Sequence, residues 1–515
     1  MQNEPTTESG EETSLQFRGG PAVSALPITL FIVWAVFQSG VLGIGDTSGL
    51  VVGMLVGLIA GLPFVRGDWK AYADAIFEGM TQEVAATAAV AWLWAGMFAN
   101  TIQAGGFVDG LVWLAGVAEV GASLFPAVTF LLAAVLATGI GTGYGTTIAF
   151  VTLVFPAGLL LGTNPILLFG AILSGAVFGD NLAPVSDTTI VSAVTQDADI
   201  GGVVASRVKY AVIAAVPALA AYVIAGLTMA TNEPAANAGA ASGAAWGLLH
   251  LIPVAIVIGT AITGRHIVEA VSWGLASAFV LNVLLGATGR VDVGVSDMVV
   301  FAASESSGFA QALAGAPLIG AIVETVPAAE AGVGGSLYSG AVGFFPLIVL
   351  TLLIVAGAQI MRAGGGFEAL QTWLLETVET TVRRAEVTMV LGTAMVNAMV
   401  TINTAAEIAI APYIRTLGRR FNINGYRRAN ILDANTSALG YIFPWGGGVL
   451  AGYTAMQGLP DEYEWFTAEM LVNPAAVFPY VFHGWFLVAV FLTAALTGFG
   501  LEYVSDRESK EVSRV

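Results

Sequence analysis

The sequence predicts an all-α, polytopic membrane protein with roughly eleven to thirteen membrane segments, among them broken or re-entrant helices, on an internally repeated plan. Three observations carry that prediction. The 515 residues are 56% hydrophobic and only 10% charged, with a mean hydropathy of +0.81, whereas a soluble domain carries about 25% charged residues. Many runs approach the ~20 apolar residues that a helix needs to span a bilayer. Polar stretches bearing glycine or proline interrupt these runs in both halves of the chain, as in transporters built from repeats with broken helices.

Residues 1–20 are polar, with Glu4, Glu8, Glu11 and Glu12. They lack a basic n-region followed by a short apolar core and a cleavage site, so they read as a disordered, acidic cytoplasmic tail. The clear apolar runs are 23–42, 50–65, 84–102, 127–137, 146–161, 211–227, 248–262, 267–285, 344–360, 387–400 and 481–496. They divide into a first membrane half, 21–230, an extracellular linker, 231–243, a second half, 244–502, and a cytoplasmic tail, 503–515. Basic residues set the orientation. Arg66, Lys70, Arg207, Lys209, Arg265, Arg362, Arg383, Arg384 and the cluster from Arg415 to Arg428 mark one side, whereas 43–48, 103–120 and 231–243 carry no Lys or Arg. The positive-inside rule makes the first group cytoplasmic and places both termini inside the cell membrane. Arg290 falls on the other side, and 286–340, with Asp292, Asp297, Glu305 and Glu324 among many small residues, reads as short or re-entrant pieces.

Composition excludes several chemistries. Without cysteine there are no disulfides, catalytic thiolates or cysteine-ligated metals. His250, His266 and His483 lie far apart, and His266 with Glu269 does not make the H-E-x-x-H zinc pattern. No phosphate-binding G-x-x-x-x-G-K-[ST] motif occurs, which argues against ATP drive, and no cofactor is expected. The net charge is −18, and the bases are 15 Arg against 3 Lys. Such a surface argues against nucleic acid as a partner and fits a protein bathed in concentrated salt, a halophilic source.

The most informative stretch is Phe178-Gly179-Asp180-Asn181-Leu182-Ala183-Pro184-Val185-Ser186-Asp187-Thr188-Thr189. It sets two carboxylates, three hydroxyls and a proline inside a hydrophobic segment. A charged carboxylate at membrane depth costs several kcal/mol, so intramembrane acids mark ion or proton paths. Asp180 follows the carboxyl end of an apolar helix, where a carboxylate is unfavourable until a cation or proton arrives. Asp187 precedes a new apolar run, where it reads either as an N-cap or as a ligand. Only oxygen is on offer, which suits hard monovalent cations.

Upstream, 138–147 holds Gly139, Gly141, Gly143 and Gly145 at alternate positions, together with Thr142, Thr146 and Thr147. It reads either as a glycine-packed crossing or as an ion-lining segment. In the second half, Thr401-Ile402-Asn403-Thr404-Ala405-Ala406-Glu407 interrupts an apolar run, then come Asp433 and Phe443-Pro444-Trp445-Gly446. Polar residues, an acid and a proline break thus recur in the same order, the mark of a site at a repeat interface. Asp433 reads alternatively as a partner of Arg427 or Arg428 at the cytoplasmic rim. Glu83, Glu386 and Glu407 border apolar runs and read first as helix-end residues.

At these residues the chain resembles the NhaC-type sodium/proton antiporters. The resemblance rests on Gly179-Asp180-x-x-x-Pro184-x-Ser186-Asp187-Thr188-Thr189, on Gly141-Thr142-Gly143-Tyr144-Gly145-Thr146, on Gly96-Met97 through Gly105, and on Asp433 followed by Pro444-Trp445. Tyr144 stands where the family has Trp, and Gly446 where it has Asn. The resemblance implies two inverted repeats, a transport part moving against a scaffold, and a homodimer as a common assembly. Read with it, the expected function is exchange of Na+ for H+ by alternating access. Asp180, Asp187, Ser186, Thr188, Thr189 and Asn181 are the cation and proton ligands, with Na+ at Asp180 and Asp187. Thr142, Thr146, Thr147, Asn403, Thr404 and Asp433 support them. The alternative is an Na+- or H+-coupled exchanger of organic acids or amino acids, and after it a cation channel.

Overall fold

Helix-forming apolar runs set the architecture, and the computed structural model of the chain describes residues 15–184, 186–229, 245–263, 265–316, 319–377 and 381–504. The 231–243 linker, residues 1–14 of the amino-terminal tail, and residues 505–515 of the carboxyl-terminal tail lie outside the described residues. Residues 15–20 differ from the expected disordered tail. Leu15 and Phe17 are buried, and the strand β1 (Gln16–Phe17) pairs antiparallel with β2 (Val65–Arg66). The two apolar side chains in an otherwise polar stretch supply the reason: Phe17 packs edge-on against Tyr72, with ring centroids 6.4 Å apart.

The first half runs through α1 (Leu26–Ala35), α2 (Thr47–Gly61), α3 (Trp69–Met80), α4 (Glu83–Ala104) and α5 (Phe107–Val117). It continues with α6 (Phe125–Ile140), α7 (Gly143–Leu160), α8 (Pro165–Leu182), α9 (Asp187–Thr195) and α10 (Ile200–Thr228). The second half has α11 (Leu251–Ile262), α12 (Ile267–Ala287), α13 (Gly308–Ala314), α14 (Ser336–Val342), α15 (Phe345–Ala363) and α16 (Gly366–Thr377). After these come α17 (Val382–Val400), α18 (Asn403–Arg420), α19 (Gly425–Gly440), α20 (Gly447–Gln457), α21 (Leu459–Glu462), α22 (Pro474–Val477) and α23 (Phe482–Thr497). Among the described residues nine helical stretches are long and apolar enough to cross a membrane, and three shorter apolar helices accompany them. The protein is an all-α polytopic membrane protein.

Segment 286–340 consists of short pieces, one of the two readings the sequence allows, and includes the short helices α13 and α14. Its strands form a three-stranded sheet in the order β4 (Val323–Val326), β3 (Val300–Ser304), β5 (Gly332–Gly334). β3 pairs parallel with β4 and antiparallel with β5. Short β-branched runs between glycines favour strands over a membrane helix here. Arg290, the residue that broke the charge pattern, lies over the ring of Trp246 at 4.0 Å, so a cation–π contact fixes it.

Two similar units pack at the centre. In the first, α6 ends at Gly141, α7 and α8 form a hairpin, and α8 breaks before α9. In the second, α17 ends at Thr401, α18 and α19 form a hairpin, and α19 breaks before α20. Both first breaks turn through a left-handed residue: Gly141 has φ 80° and Thr401 φ 63°. The hairpins are the core, with 89% of α7 and 78% of α8 buried, against 28% of α10 and 33% of the span in α12. Every residue of α19 from Arg427 to Gly440 is buried. Because α18 and α19 face protein rather than lipid, they carry polar residues that a lipid-facing helix could not.

Candidate functional site

The helix breaks converge. Pro184 cannot continue α8, and the chain restarts as α9 with Ser186 as its N-cap residue. The Ser186 hydroxyl does not cap α9; it donates to Asp180 Oδ1 at 2.8 Å and lies 3.0 Å from the Thr188 hydroxyl. The other Asp180 oxygen faces Tyr441, in the second break of the second unit, whose hydroxyl donates at 3.4 Å. Gly143 opens α7 against the same pair. A Cβ there would sit 2.0 Å from the Tyr441 hydroxyl oxygen and 3.1 Å from Asp180 Oδ2, so only glycine permits this approach. Tyr144 stacks at 5.4 Å on Tyr441, and its hydroxyl accepts from the Asn403 amide at 3.4 Å. The Gly447 amide closes the fourth break by donating to the Thr401 carbonyl at 3.1 Å.

Asp187 is the first residue of α9 and, unlike the buried Asp180, is exposed. It accepts a hydrogen bond from Thr404 of α18, which ties the first unit to the second. A cavity of about 490 Å³ opens beside it, lined by Thr87, Thr142, Tyr144, Pro184 and Thr404 and by the exposed Arg265 and His266. Asp187 is thus the first helical residue rather than the N-cap, and it both accepts from Thr404 and lines the cavity.

Asp433 does not pair with Arg427 or Arg428. It lies mid-helix, fully buried, in an ion pair with Arg207 of α10. Thr189, at 3.2 Å, and Ser192, at 3.4 Å, donate to its Oδ2, and Ser437 donates to its Oδ1 at 2.8 Å. Arg207 also donates to the Asn181 carbonyl at 2.7 Å and to Asn430 at 2.8 Å, so a guanidinium sits on the carbonyl end of α8. Arg427 instead takes Glu386 through Nε and Nη2, at 2.6 and 3.0 Å, and Arg428 donates to the Gln196 carbonyl at 2.6 Å. Helix α19 turns Asp433 toward Arg207 of α10 and Arg427 toward Glu386 of α17 and Tyr210 of α10, while Arg428 reaches the end of α9.

The expected ligands thus fall into groups. Asp180, Ser186 and Thr188 come together; Asp187 and Thr404 form a second pair at the cavity. Thr189 belongs to the Arg207–Asp433 pair. Asn181 donates to the Val177 carbonyl at 2.9 Å and keeps its side-chain oxygen without a protein partner. Thr142 caps α7 and lines the cavity, Thr146 donates to the Thr142 carbonyl at 2.9 Å, and Thr147 and Asn403 are buried without side-chain partners. Sequence reasoning missed Arg207, which it used only as a topology marker, and Tyr441. It also set aside Glu407, although Asn403 and Glu407 share one helix face. Among the described residues no three His, Cys, Asp or Glu side chains gather as a metal site, so any cation here would rest on single carboxylates with neutral oxygens.

Paired units with facing helix breaks and buried acids define a membrane transporter of the broken-helix kind. The model of the Na+/H+ antiporter family matches residues 13–204 and 193–485. The chain belongs to that family. It is similar to the arginine/ornithine antiporter ArcD of Halobacterium salinarum, 24% identical over 464 residues, which cover 86% of this chain and 90% of that protein. It is also similar to the malate-2H(+)/Na(+)-lactate antiporter of Bacillus subtilis, 30% identical over 149 residues, or 29% of this chain and 30% of the relative. The protein is therefore a multi-pass membrane protein and a secondary antiporter.

Proposed function

We propose that this antiporter exchanges Na+ for H+ across the cytoplasmic membrane, with both termini inside, in a cell exposed to concentrated salt. Asp180 and Asp187, with Ser186, Thr188, Asn181 and Thr404 near them, hold Na+ when ionised and H+ when protonated. The observation that carries this reading is the state of the charges: Arg207 is engaged by Asp433, and among the described residues no cationic side chain hydrogen-bonds Asp180 or Asp187. An unmatched carboxylate at membrane depth calls for a cation or a proton, and competition for one site gives exchange. The supports for a saline setting are the net charge of −18, the scarcity of lysine, and a relative from Halobacterium salinarum.

Asp180→Asn keeps the shape and removes the charge, so sodium-driven ΔpH change in everted vesicles should vanish while the protein still inserts. Near-normal exchange would remove Asp180 from the mechanism. In the parent, the apparent sodium constant should rise up to about tenfold for each pH unit below the carboxylate's titration and level off above it. A second reading has one observation in its favour: a 490 Å³ cavity beside Asp187 is large for a bare ion. In that reading the cargo is a cationic amino acid, as the name of the arginine/ornithine relative states for that protein. Adding NaCl, LiCl, KCl, arginine, ornithine, malate and lactate in turn to the same vesicles separates the two.

A further inference from the structure

Glu407 is a third carboxylate that this exchange scheme does not use. It lies in the second turn of α18, fully buried, and its Oε1 accepts from the Thr436 hydroxyl at 2.7 Å. Its Oε2 has no protein partner. The carbonyl of the same Thr436 accepts from Asn397 Nδ2 at 3.0 Å, and Asn397, 1% exposed, keeps its Oδ1 without a partner. Helices α17, α18 and α19 thus meet at Thr436, and two side chains there each hold back an oxygen. One turn earlier on α17 and α18, the Thr393 hydroxyl and the Asn403 side-chain amide are also buried and unpartnered.

Charged groups that act on Glu407 include Asp433, Asp187 and Arg207. The single cation among them, Arg207, is bound to Asp433. A buried carboxylate with an open oxygen is stable only when a proton or a metal cation supplies the missing charge. Every free acceptor named here is oxygen, the donor type that hard monovalent cations take.

We propose that Glu407, Asn397 and Thr436 form a second monovalent-cation site, confined to the second unit and loaded separately from Asp180, so that each cycle carries more than one cation. The proposal rests on the antiport reading. Its test counts ions on the purified full-length protein: bound 22Na+ at saturation, proton release on sodium addition, and the coupling ratio in proteoliposomes from the null point of opposing gradients. Glu407→Gln, whose amide oxygen can still accept from Thr436, should remove one ion per chain from the count and lower the coupling ratio, while Asp180→Asn keeps the Glu407 ion. Asn397→Leu removes an oxygen but no titrating group. If it lowers bound sodium as Glu407→Gln does, the site holds Na+; if only Glu407→Gln changes the count, the site holds H+. An unchanged ion count and coupling ratio in both folded variants would overturn the proposal and leave Glu407 a permanently protonated donor. Absence of any sodium-driven proton movement by the parent protein would overturn the antiport reading instead, whatever the Glu407 variants show.

Discussion

Asp433→Asn strikes the most deeply buried charge pair among the described residues. Asp433 and Arg207 are both 0% exposed, so the substitution leaves a guanidinium with only the Asn181 carbonyl, Asn430 and Thr189 around it. Removing one partner of such a pair costs about 3–5 kcal/mol. At ~1.4 kcal/mol per decade, that is a loss of roughly two to three and a half decades in the folding equilibrium. Function should suffer too, because Arg207 already holds the carbonyl next in sequence to Asp180 and would become an uncompensated positive charge there. The pair Arg207→Met with Asp433→Leu replaces both charges by apolar volume and should recover most of the stability. The assay is equilibrium unfolding in mixed detergent micelles, followed by tryptophan fluorescence, for the parent, both single variants and the double. Asp433→Asn within about 1 kcal/mol of the parent, or a double variant no better than the singles, would refute the claim that this pair is mutually dependent.

The remaining predictions concern the breaks and one outer cap. Ser186→Ala deletes the hydroxyl that donates to Asp180 at 2.8 Å; a hydrogen bond to a charged group contributes about 1.5–3 kcal/mol, so sodium should bind roughly ten- to a hundredfold more weakly near neutral pH, measured by 22Na+ binding. Gly141→Ala forces a side chain onto φ 80° and should cost about 1–2 kcal/mol, whereas Thr401→Gly, at φ 63°, should stabilise by a similar amount in the same unfolding assay. Asp199 lies outside the spans, and the Tyr426 hydroxyl, then the Gly202 amide, hold its pKa below the ordinary carboxylate value. With the folded value depressed, its contribution is complete above the unfolded value of about 3.9 and is lost as pH falls through the folded one, so Asp199→Asn should flatten the acid limb of thermal stability.

The breaks were legible because their causes are local. Pro184 forbids continuation of α8, and glycines at 139–145 announce the turn between α6 and α7. Asp180 declared itself by standing in an apolar run. The partner of Asp433 was not legible, since α10 and α19 lie far apart in sequence and burial turns an apparent topology marker into a counter-charge. The same holds for Arg427 with Glu386. Helices α18 and α19 look too polar to cross a membrane, and only their enclosure by α17, α8, α9 and α10 explains why they need not be apolar. The sheet at 300–334 was hidden by short strands among small residues, which carry little periodic signal.

The tyrosine pair at the crossing of the breaks has a kinetic consequence. Asp180 sits behind Tyr441 and Ser186, and Trp92 of α4 meets Tyr144 edge-on at 6.1 Å, so the stack reaches from the acid to a neighbouring helix. A proton passes along hydroxyls such as Ser186 and Thr188 by hopping, and needs only bond rotation. On the proposed exchange of Na+ for H+, a sodium ion would need the rings to part. On the exchange reading proposed above, the inner acid would trade a proton faster than a sodium ion. Size would then set the order of arrivals before affinity is consulted, and Trp92, edge-on to Tyr144, would report ring movement as a change in its fluorescence.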